Sequence, residues 1–394
     1  MVHSIHDFRI SHSLIIVFAF TLSFFSCNRK KEVTTKNTMD SLKLVSSRSF
    51  GKMADGQAVT LYTMRNRKGA EMNVMNYGGI IVSLKMPDRN GVIEEVTLGY
   101  DSLSSYQKAS PFFGALVGRY GNRIAKGKFT LDGNSYTLPL NNGVNHLHGG
   151  SLGFDKMFWA IQDVSDSVQA KLKLTYQSKD NEQGYPGNLT IEVLYSLSDD
   201  NEVRVEYKAT TDKKTVVNLT QHAYFNLSGN ARRSILDHQL AIQADNFLPI
   251  DETLIPTGVL QPVKGTPFDF LTAQNIGSRI NEKNAQLING KGYDHCWALN
   301  NQGHFEKVAT LEDVSSGRRM EVFTDQPGMQ FYSGNFLDGS NVGKGGVVYQ
   351  QHLGLCLETQ HFPDSPNKPA FPSVVLSPGE TYHTVTAYKF SVIQ

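Results

Sequence analysis

Apolar and polar residues alternate with a period of two along much of this chain, and this pattern constrains the fold more than any other feature. Residues 203–209 (VRVEYKA) alternate apolar with mostly charged side chains. Successive side chains of an extended strand point to opposite faces, so such a segment buries one face and exposes the other. Residues 171–176 and 189–193 repeat the pattern. We expect these three segments to pair as neighbouring antiparallel strands.

Turn signals and the scarcity of helical periodicity extend this prediction to most of the chain. Residues 129–138 are two β-prone runs around Asp132-Gly133, a dipeptide typical of a tight hairpin. The best helical candidate is a short segment near residues 272–280, and nothing supports alternating strands and helices. The sequence therefore predicts an all-β protein, with residues 45–394 forming one large antiparallel β-sandwich domain.

The N-terminal residues are a separate segment. Residues 13–25 form an apolar run after Arg9 that is too short to span a bilayer but suits the central region of a secretory signal. The sequence LSFFSC that ends at Cys27 is similar to a bacterial lipoprotein box, apart from the bulky Phe25. The alternatives are an ordinary cleaved signal or an N-terminal anchor helix with an incidental cysteine.

From this segment we predict where the protein is located. Residues 1–26 would be a lipoprotein-type signal peptide, Cys27 would carry the lipid, and residues 27–44 would be a flexible tether because they are polar and lack any apolar period. The protein is then exported to the periplasm or cell envelope. Its contact with the membrane would be through the lipid anchor alone.

The near-equal numbers of basic and acidic residues limit the kind of partner that the protein can bind. Lys and Arg number 38, Asp and Glu number 37, and no long basic stripe appears, so nucleic acid is excluded as a partner. We expect a small, uncharged molecule instead.

Besides Cys27 the chain has Cys296 and Cys356, which are too few for a disulfide framework. We expect both to be buried free thiols.

Several predicted strands contain polar residues that a strand does not need. In residues 118–124 (GRYGNRI), Asn122 and Arg123 present hydrogen-bond donors side by side, and a guanidinium grips neighbouring oxygens well. Residues 218–227 contain His222 and Tyr224 where apolar residues are expected, and buried polar groups must be paired. Taken alone, the arginine is better explained as a surface residue and the histidine as a structural one.

Two further strands contain carboxylates. Asp294 lies in residues 292–295 (GYDH), and Glu358 lies in residues 355–360 (LCLETQ) on the face opposite the leucines. A glutamate partly removed from water has a raised pKa and is a better base than a solvated one. The alternative is a glutamate on an edge strand that faces solvent.

Two histidines with a spacing of two raise the question of a metal. His146 and His148 share a face if residues 145–150 (NHLHGG) are extended, a spacing that also occurs in metal sites. A cupin-like site would be expected to supply a glutamate a few residues downstream, and residues 149–154 contain none. We therefore predict no metal.

Taken in order, these residues resemble the site of the aldose 1-epimerase (galactose mutarotase) family. The resemblance runs from about residue 50 to residue 390 and includes residues 326–336 (QPGMQFYSGNF) around Gln330. It implies a galactose mutarotase-like supersandwich with an open sugar cleft and no cofactor. One departure is Gln221, where the family often has Asn beside the catalytic histidine. The residues that the resemblance implies for the site are Glu358 as general base, His222 as general acid, and Asn122, Arg123, His148, Tyr224, Asp294 and Gln330 as sugar-binding residues.

The chemistry of the residues agrees with this resemblance. Glu358 would remove the proton of the anomeric hydroxyl while His222 protonates the ring oxygen, so that the ring opens and recloses on its other face. Arg123 and His148 would hold the sugar. We expect the imidazole and the carboxylate to face each other across a gap that is wide enough for one pyranose.

Three other functions remain open at this stage. A carbohydrate-binding module would show aromatic stacking platforms, for which Trp159 and Trp297 are the available tryptophans. An epimerase for phosphorylated sugars would need a basic cluster, and export argues against it. A cupin-type metalloenzyme would contain stoichiometric metal. The preferred aldose and the oligomeric state do not follow from the sequence.

Overall fold

The structure of the protein is a computed structural model that describes residues 43–108 and 110–393. The predicted signal peptide (1–26) and Cys27 lie outside the described residues, as does nearly all of the predicted tether (27–44). Residues 42–394 form one compact unit. No helix in the described ranges has the length and apolar character needed to cross a bilayer.

Short strands are the main regular structure of the described chain. The 27 strands, in chain order, are β1 (Val45–Lys52), β2 (Ala58–Arg65), β3 (Glu71–Met75), β4 (Ile81–Pro87), β5 (Ile93–Glu95), β6 (Ala115–Val117), β7 (Arg123–Ile124), β8 (Lys128–Leu131), β9 (Asn134–Thr137), β10 (His146–Leu147), β11 (Ala160–Asp163), β12 (Ala170–Ser178), β13 (Leu189–Leu197), β14 (Glu202–Thr211), β15 (Thr215–Val216), β16 (Thr220–His222), β17 (Gln239–Ile242), β18 (Asn246–Leu248), β19 (Gln261–Pro262), β20 (Gln274–Asn275), β21 (Asp294–Ala298), β22 (Glu306–Asp313), β23 (Arg318–Thr324), β24 (Gly328–Tyr332), β25 (Cys356–Gln360), β26 (Val375–Leu376) and β27 (Tyr382–Val392).

Helical structure is limited to a few short pieces. The two α-helices in this part of the chain are α1 (Leu103–Lys108) and α2 (Ala285–Gly290). The 3₁₀ turns are Ala125–Gly127, Phe154–Lys156, Glu182–Gly184, Ile235–Asp237, Ile276–Ser278, Lys344–Gly346 and Ser365–Asn367.

The largest sheet has nine strands, all antiparallel, in the order β11-β12-β13-β14-β27-β23-β22-β17-β20. The three alternating segments of the sequence are its strands β12, β13 and β14, which are neighbours as predicted. Leu174 lies opposite Val193, and Val193 lies opposite Tyr207, so the apolar residues line up on one face.

Two five-stranded sheets complete the sandwich. One has the order β1-β2-β3-β4-β5, and the other has the order β19-β18-β21-β24-β25. Met72 of the first, Phe331 of the second and Leu172 of the nine-stranded sheet belong to one buried apolar cluster. The predicted all-β class and antiparallel sandwich are therefore confirmed.

The local predictions had mixed outcomes. The hairpin around Asp132-Gly133 is present as β8 and β9, and both turn residues have positive φ, as a tight turn between antiparallel strands requires. The helix expected near residues 272–280 is wrong, because the segment forms β20 and a 3₁₀ turn. Gly277 inside it disfavours an α-helix. Cys296 and Cys356 are free and buried, as expected.

Candidate active site

A cavity of about 670 Å³ opens between the five-stranded sheet that contains β25 and the loops around β7 and β10. Seven of the eight predicted site residues line it: Asn122, Arg123, His148, His222, Tyr224, Asp294 and Glu358. The eighth, Gln330, is buried beside it, and its Nε2 donates a hydrogen bond of 2.7 Å to Oδ1 of Asp294. The fold thus brings together residues that are more than 200 positions apart in the sequence.

Asn122 and His148 are joined by two hydrogen bonds, one between their backbones and one from the Asn122 backbone to the His148 imidazole. Strands β7 and β10 pair antiparallel, with Leu147 opposite Arg123, and each ends at the cavity. The amide of His148 donates to the carbonyl of Asn122 (3.0 Å), and the amide of Asn122 donates to Nδ1 of His148 (3.1 Å). This reciprocal pair fixes the imidazole at the cavity wall.

Three adjacent strands supply the carboxylates and the amide. In the order β21-β24-β25, Gln330 lies opposite Cys296 on one side and Glu358 on the other. Asp294 begins β21, two residues before Cys296, and therefore projects from the same face as Gln330 and Glu358. Register alone places all three polar side chains on the cavity side.

His222 and Glu358 are direct neighbours. Nε2 of His222 is 3.6 Å from Oε1 of Glu358, and the two side chains are only 6% and 3% exposed. They lie side by side on one wall, so the expectation that they face each other across a gap wide enough for a pyranose is wrong. The reason is that β16 and β25 lie next to each other, with Oγ1 of Thr220 donating to the carbonyl of Thr359 at 2.9 Å.

Two carboxylates of the cavity, Glu358 and Asp294, have raised pKa values. Burial raises the pKa of Glu358 well above its usual value, the nearby Asp294 raises it further, and Arg123 opposes the shift. Oε2 of Glu358 has no hydrogen-bond partner among the described residues. Burial also raises the pKa of Asp294, against the effects of Arg123 and Gln330. Glu358 is therefore a strong base that is placed where a ligand can reach it.

The pKa values of His222, His148 and Arg123 are shifted in the opposite direction. Burial lowers the pKa of His222 to about 4 and lowers the pKa of His148 well below its usual value. Burial also lowers the pKa of Arg123, although the carboxylates of Asp294 and Glu358 oppose this shift. At neutral pH the cavity therefore contains two neutral imidazoles and one guanidinium.

Comparison with known proteins identifies the family. The family model described as aldose 1-epimerase matches residues 60–389. The chain belongs to the aldose 1-epimerase family. It is 45% identical over 344 residues to the galactose mutarotase of Rattus norvegicus, covering 87% of this chain and 97% of that protein. It is 42% identical over 339 residues to the aldose 1-epimerase of Escherichia coli K12, covering 85% and 96%.

Solved structures agree with this assignment. The galactose 1-epimerase from Lactobacillus acidophilus NCFM superposes with a TM-score of 0.79 at 29% identity, covering 89% of this chain and 99% of that one. A GalM/aldose epimerase homologue from C. elegans gives 0.78 at 27% identity, covering 89% and 100%. The protein is thus an enzyme, an isomerase that interconverts the anomers of aldoses.

A metal fits poorly in this aldose 1-epimerase. His148, His222 and Glu358 each offer a ligand atom, and these atoms lie within 4.8 Å of one another. Nδ1 of His148, however, already accepts the amide of Asn122, so the neutral ring carries its hydrogen on Nε2 and has no free lone pair. Metal-binding histidines usually donate their second nitrogen to a carbonyl or carboxylate, which is the reverse of this arrangement.

The epimerase site also contains residues that the sequence did not single out. Phe112 lines the cavity, and its ring lies 4.7 Å from that of His148 and 5.7 Å from that of His222. Its φ of 64° is rare for an aromatic residue. Cys356 contacts Nδ1 of His222 at 3.5 Å. No sequence pattern predicts either contact, because both depend on the tertiary fold.

Gln221 and Tyr224 support the epimerase cavity through backbone contacts. Gln221 points away from the cavity, where Nε2 donates to the carbonyl of Gly114 and Oε1 accepts the amide of Ala223. The hydroxyl of Tyr224 donates to the carbonyl of Pro111 at 2.9 Å, so this residue presents its ring to the cavity. The amide at position 221 therefore braces the chain around His222.

Proposed function

We propose that the enzyme interconverts the α and β anomers of free hexoses, galactose and glucose foremost, with Glu358 as general base and His222 as general acid. The observation that carries this proposal is the buried pair itself, with Nε2 and Oε1 3.6 Å apart at the wall of a cavity. Relatives named galactose mutarotase and galactose 1-epimerase support galactose as a substrate.

The proton transfers balance without a cofactor. Glu358 takes the proton of the anomeric hydroxyl, C1 and its oxygen form a carbonyl, and the bond between C1 and the ring oxygen breaks. The ring oxygen receives the Nε2 proton of His222, and the imidazole, neutral before this step, carries the negative charge until ring closure returns the proton. Rotation about C1–C2 turns the aldehyde. The same transfers in reverse close the ring on the other face and return both side chains to their starting state. Each positioned proton-transfer group typically contributes roughly 10²- to 10⁴-fold to the rate.

The remaining polar groups suit the hydroxyls of a sugar. Arg123 donates from Nε to Asn142 at 3.1 Å, and the rest of its guanidinium is available to the cavity. His148 presents an Nε2–H donor, and Asp294, held by Gln330, presents an acceptor. We assign these residues, with Asn122, to holding the sugar so that its anomeric centre lies at His222 and Glu358.

The charge of the cavity argues against a phosphorylated sugar as the substrate. Arg123 and Lys291 are its lysine and arginine residues, against the carboxylates of Glu252, Asp294 and Glu358. That balance does not favour a phosphate group. The two tryptophans are buried in the core at 2% and 0% exposure and do not line the cavity, whose aromatic residues are Phe112, Tyr224, Tyr332 and Phe336.

Polarimetry on freshly dissolved α-galactose and α-glucose tests the roles of the pair. Glu358→Gln and His222→Asn should each lower kcat by about 10²-fold or more while the thermal midpoint stays close to that of the wild type. The matched controls Glu321→Gln and His383→Asn change the same residue types far from the cavity and should retain full activity. Near-normal rates in either site variant would overturn its assigned role, and sugar binding without acceleration in the wild type would favour a binding module.

We further propose that the protein is exported, with residues 1–26 as a signal peptide and Cys27 as a lipidated N-terminus. The support is the apolar run at residues 13–25 and the cysteine that follows it. Cys27→Ala should move the protein from the membrane fraction to the soluble fraction of a bacterial host, and mass spectrometry of the wild-type N-terminal peptide should show a lipid on Cys27. An unmodified Cys27 in the mature protein would rule out the anchor.

A further inference from the structure

The plane of the His222 ring is fixed by its aromatic neighbours. The rings of Phe112 and Tyr224 lie at 5.7 Å and 5.2 Å, each tilted by 32°, and the ring of His148 lies edge-on at 5.1 Å. Such packing does not decide which edge of the imidazole faces the cavity, because a ring rotated by 180° has nearly the same outline. A hydrogen bond at one nitrogen is needed to make that choice.

Cys356 is placed to provide that hydrogen bond. Among the described residues, the one hydrogen-bond partner of its Sγ is Nδ1 of His222, at 3.5 Å. Cys356 precedes Glu358 by two residues on β25, so both side chains project from the same face of the strand toward His222. The thiol has no exposed surface. Strand β25 therefore carries both the thiol at Nδ1 of His222 and the carboxylate near its Nε2.

The direction of this hydrogen bond follows from the state of the two groups. Burial, with the charges of Glu358 and Asp294, raises the pKa of the Cys356 thiol well above its usual value, so the sulfur carries a hydrogen. Burial lowers the pKa of His222 to about 4, so the ring is neutral at neutral pH and has one acceptor nitrogen. Oε1 of Glu358 lies 3.6 Å from Nε2, and an ionised carboxylate can only accept, so it favours the ring hydrogen on Nε2. Nδ1 is then the acceptor nitrogen, and the thiol donates to it.

We propose that Cys356 is a positioning residue for the epimerase reaction, whose hydrogen bond to Nδ1 of His222 selects the ring edge and tautomer that direct Nε2–H at the ring oxygen of the sugar. This inference rests on the proposed role of His222 as the donor to the ring oxygen. Cys356 itself does not touch the sugar. Without the thiol, the ring can turn over or carry its hydrogen on Nδ1, and a fraction of the enzyme then has no donor at the ring oxygen.

Three variants separate this role from a packing role. Cys356→Ala removes the donor and should lower kcat by about 10-fold, which is the typical value of one hydrogen bond, with KM little changed because the residue does not contact sugar. Cys356→Ser keeps a donor and should restore most of kcat. Cys296→Ala is the matched control, because Cys296 is also a buried free thiol but donates to the carbonyl of Trp297, and it should retain wild-type kcat.

Nitrogen NMR of ¹⁵N-histidine-labelled enzyme reads the tautomer without turnover. The His222 signal, assigned by its loss in His222→Asn, should show a protonated Nε2 in the wild type and in Cys356→Ser, and a shift toward protonated Nδ1 or a mixture in Cys356→Ala. Wild-type kcat together with an unchanged tautomer in Cys356→Ala would overturn the proposal. If His222→Asn keeps a normal rate, the general-acid role of His222 fails instead, and the tautomer measurement tells the two failures apart.

Discussion

Arg123, Asp294 and Glu358 are three ionisable groups that share the epimerase cavity and are almost fully buried. Arg123 is 6% exposed, Asp294 7% and Glu358 2%. Two carboxylates with one guanidinium leave an excess of negative charge, which disfavours ionisation of both acids. Glu358 is the more strongly affected because Asp294 adds to the effect of burial. The charge of Asp294 therefore raises the pKa of the proposed base.

This coupling predicts a shift in the pH dependence of the reaction. With Glu358 as the proposed base, kcat/KM should fall as the pH is lowered through its raised pKa, so the acidic limb lies above the usual range of a glutamate. Asp294→Asn removes the repulsion, lowers the pKa of Glu358 and should move that limb to lower pH, whatever it does to the size of kcat/KM. Polarimetric rates across pH measure the limb, with the exposed Asp338→Asn as control. A limb that moves to higher pH in Asp294→Asn would contradict the coupling.

The hydrogen bond at His148 predicts independence from metal. Because neither nitrogen of the neutral ring has a free lone pair, the cluster with His222 and Glu358 should not retain a divalent ion. Dialysis against a chelator should leave kcat unchanged, and elemental analysis of the purified enzyme should find no stoichiometric metal. Activity that is lost on dialysis and restored by zinc would show that the ring is rearranged around an ion.

At the level of strands, part of the site was readable from the sequence. His222 and Glu358 were singled out because a polar residue in a buried strand needs a partner or a function, but their roles came only from the resemblance to the family. The contact of Cys356 with His222 could not be recognised from the sequence. It depends on how β25 lies against β16, and the two residues are 134 positions apart. Local alternation determines the face of a residue, but it does not determine which strand lies opposite.

The turn after β10 is a second element on which the site depends. Gly149 follows His148 with a φ of 82°, and a Cβ added to it would lie 1.8 Å from the carbonyl oxygen of Gly118. Gly149→Ala must therefore displace the loop that carries His148. Because displacements of about 1 Å can reduce rates by roughly 10²-fold, we expect a large loss of kcat/KM in polarimetric assays.

Gly133→Ala is the matched control for this variant. Gly133 has a similar φ of 78° in the hairpin between β8 and β9, but no atom lies within 4 Å of an added Cβ. It should show only the strain of a left-handed backbone, about 1–2 kcal/mol in a denaturant titration, with normal kcat/KM. Equal activity in the two variants would mean that the loop adapts and that the contact with Gly118 does not position His148.

At the level of the whole molecule, the order of strands in the nine-stranded sheet could not be predicted from the sequence. The pairing of β12, β13 and β14 follows from their alternation and short connections. The C-terminal strand β27, however, lies in the middle of the sheet, with β14 on one side and β23 on the other. Its neighbours are chosen by long-range packing, for which a single segment carries no signal. The sequence thus predicts the fold class but not the position of β27 in the sheet.

Because β27 is central to the sheet, a C-terminal truncation should have a much larger effect than an N-terminal one. A chain that stops after Ser377 loses β27, which separates β11–β14 from the rest of the sheet and removes the buried side chains of Ala387, Tyr388 and Phe390. Each large apolar side chain contributes roughly 1.5–3 kcal/mol, and the lost strand pairing adds to this, against a total stability of about 5–15 kcal/mol. We expect this chain to be unfolded by circular dichroism.

A chain that starts at residue 43 keeps every strand and every residue of the cavity, so it should fold and retain the kcat of the full protein in polarimetry. A folded, active product of the C-terminal truncation would show that the sheet does not need its central strand, and an inactive product of the N-terminal one would show that residues before 43 contribute to the site.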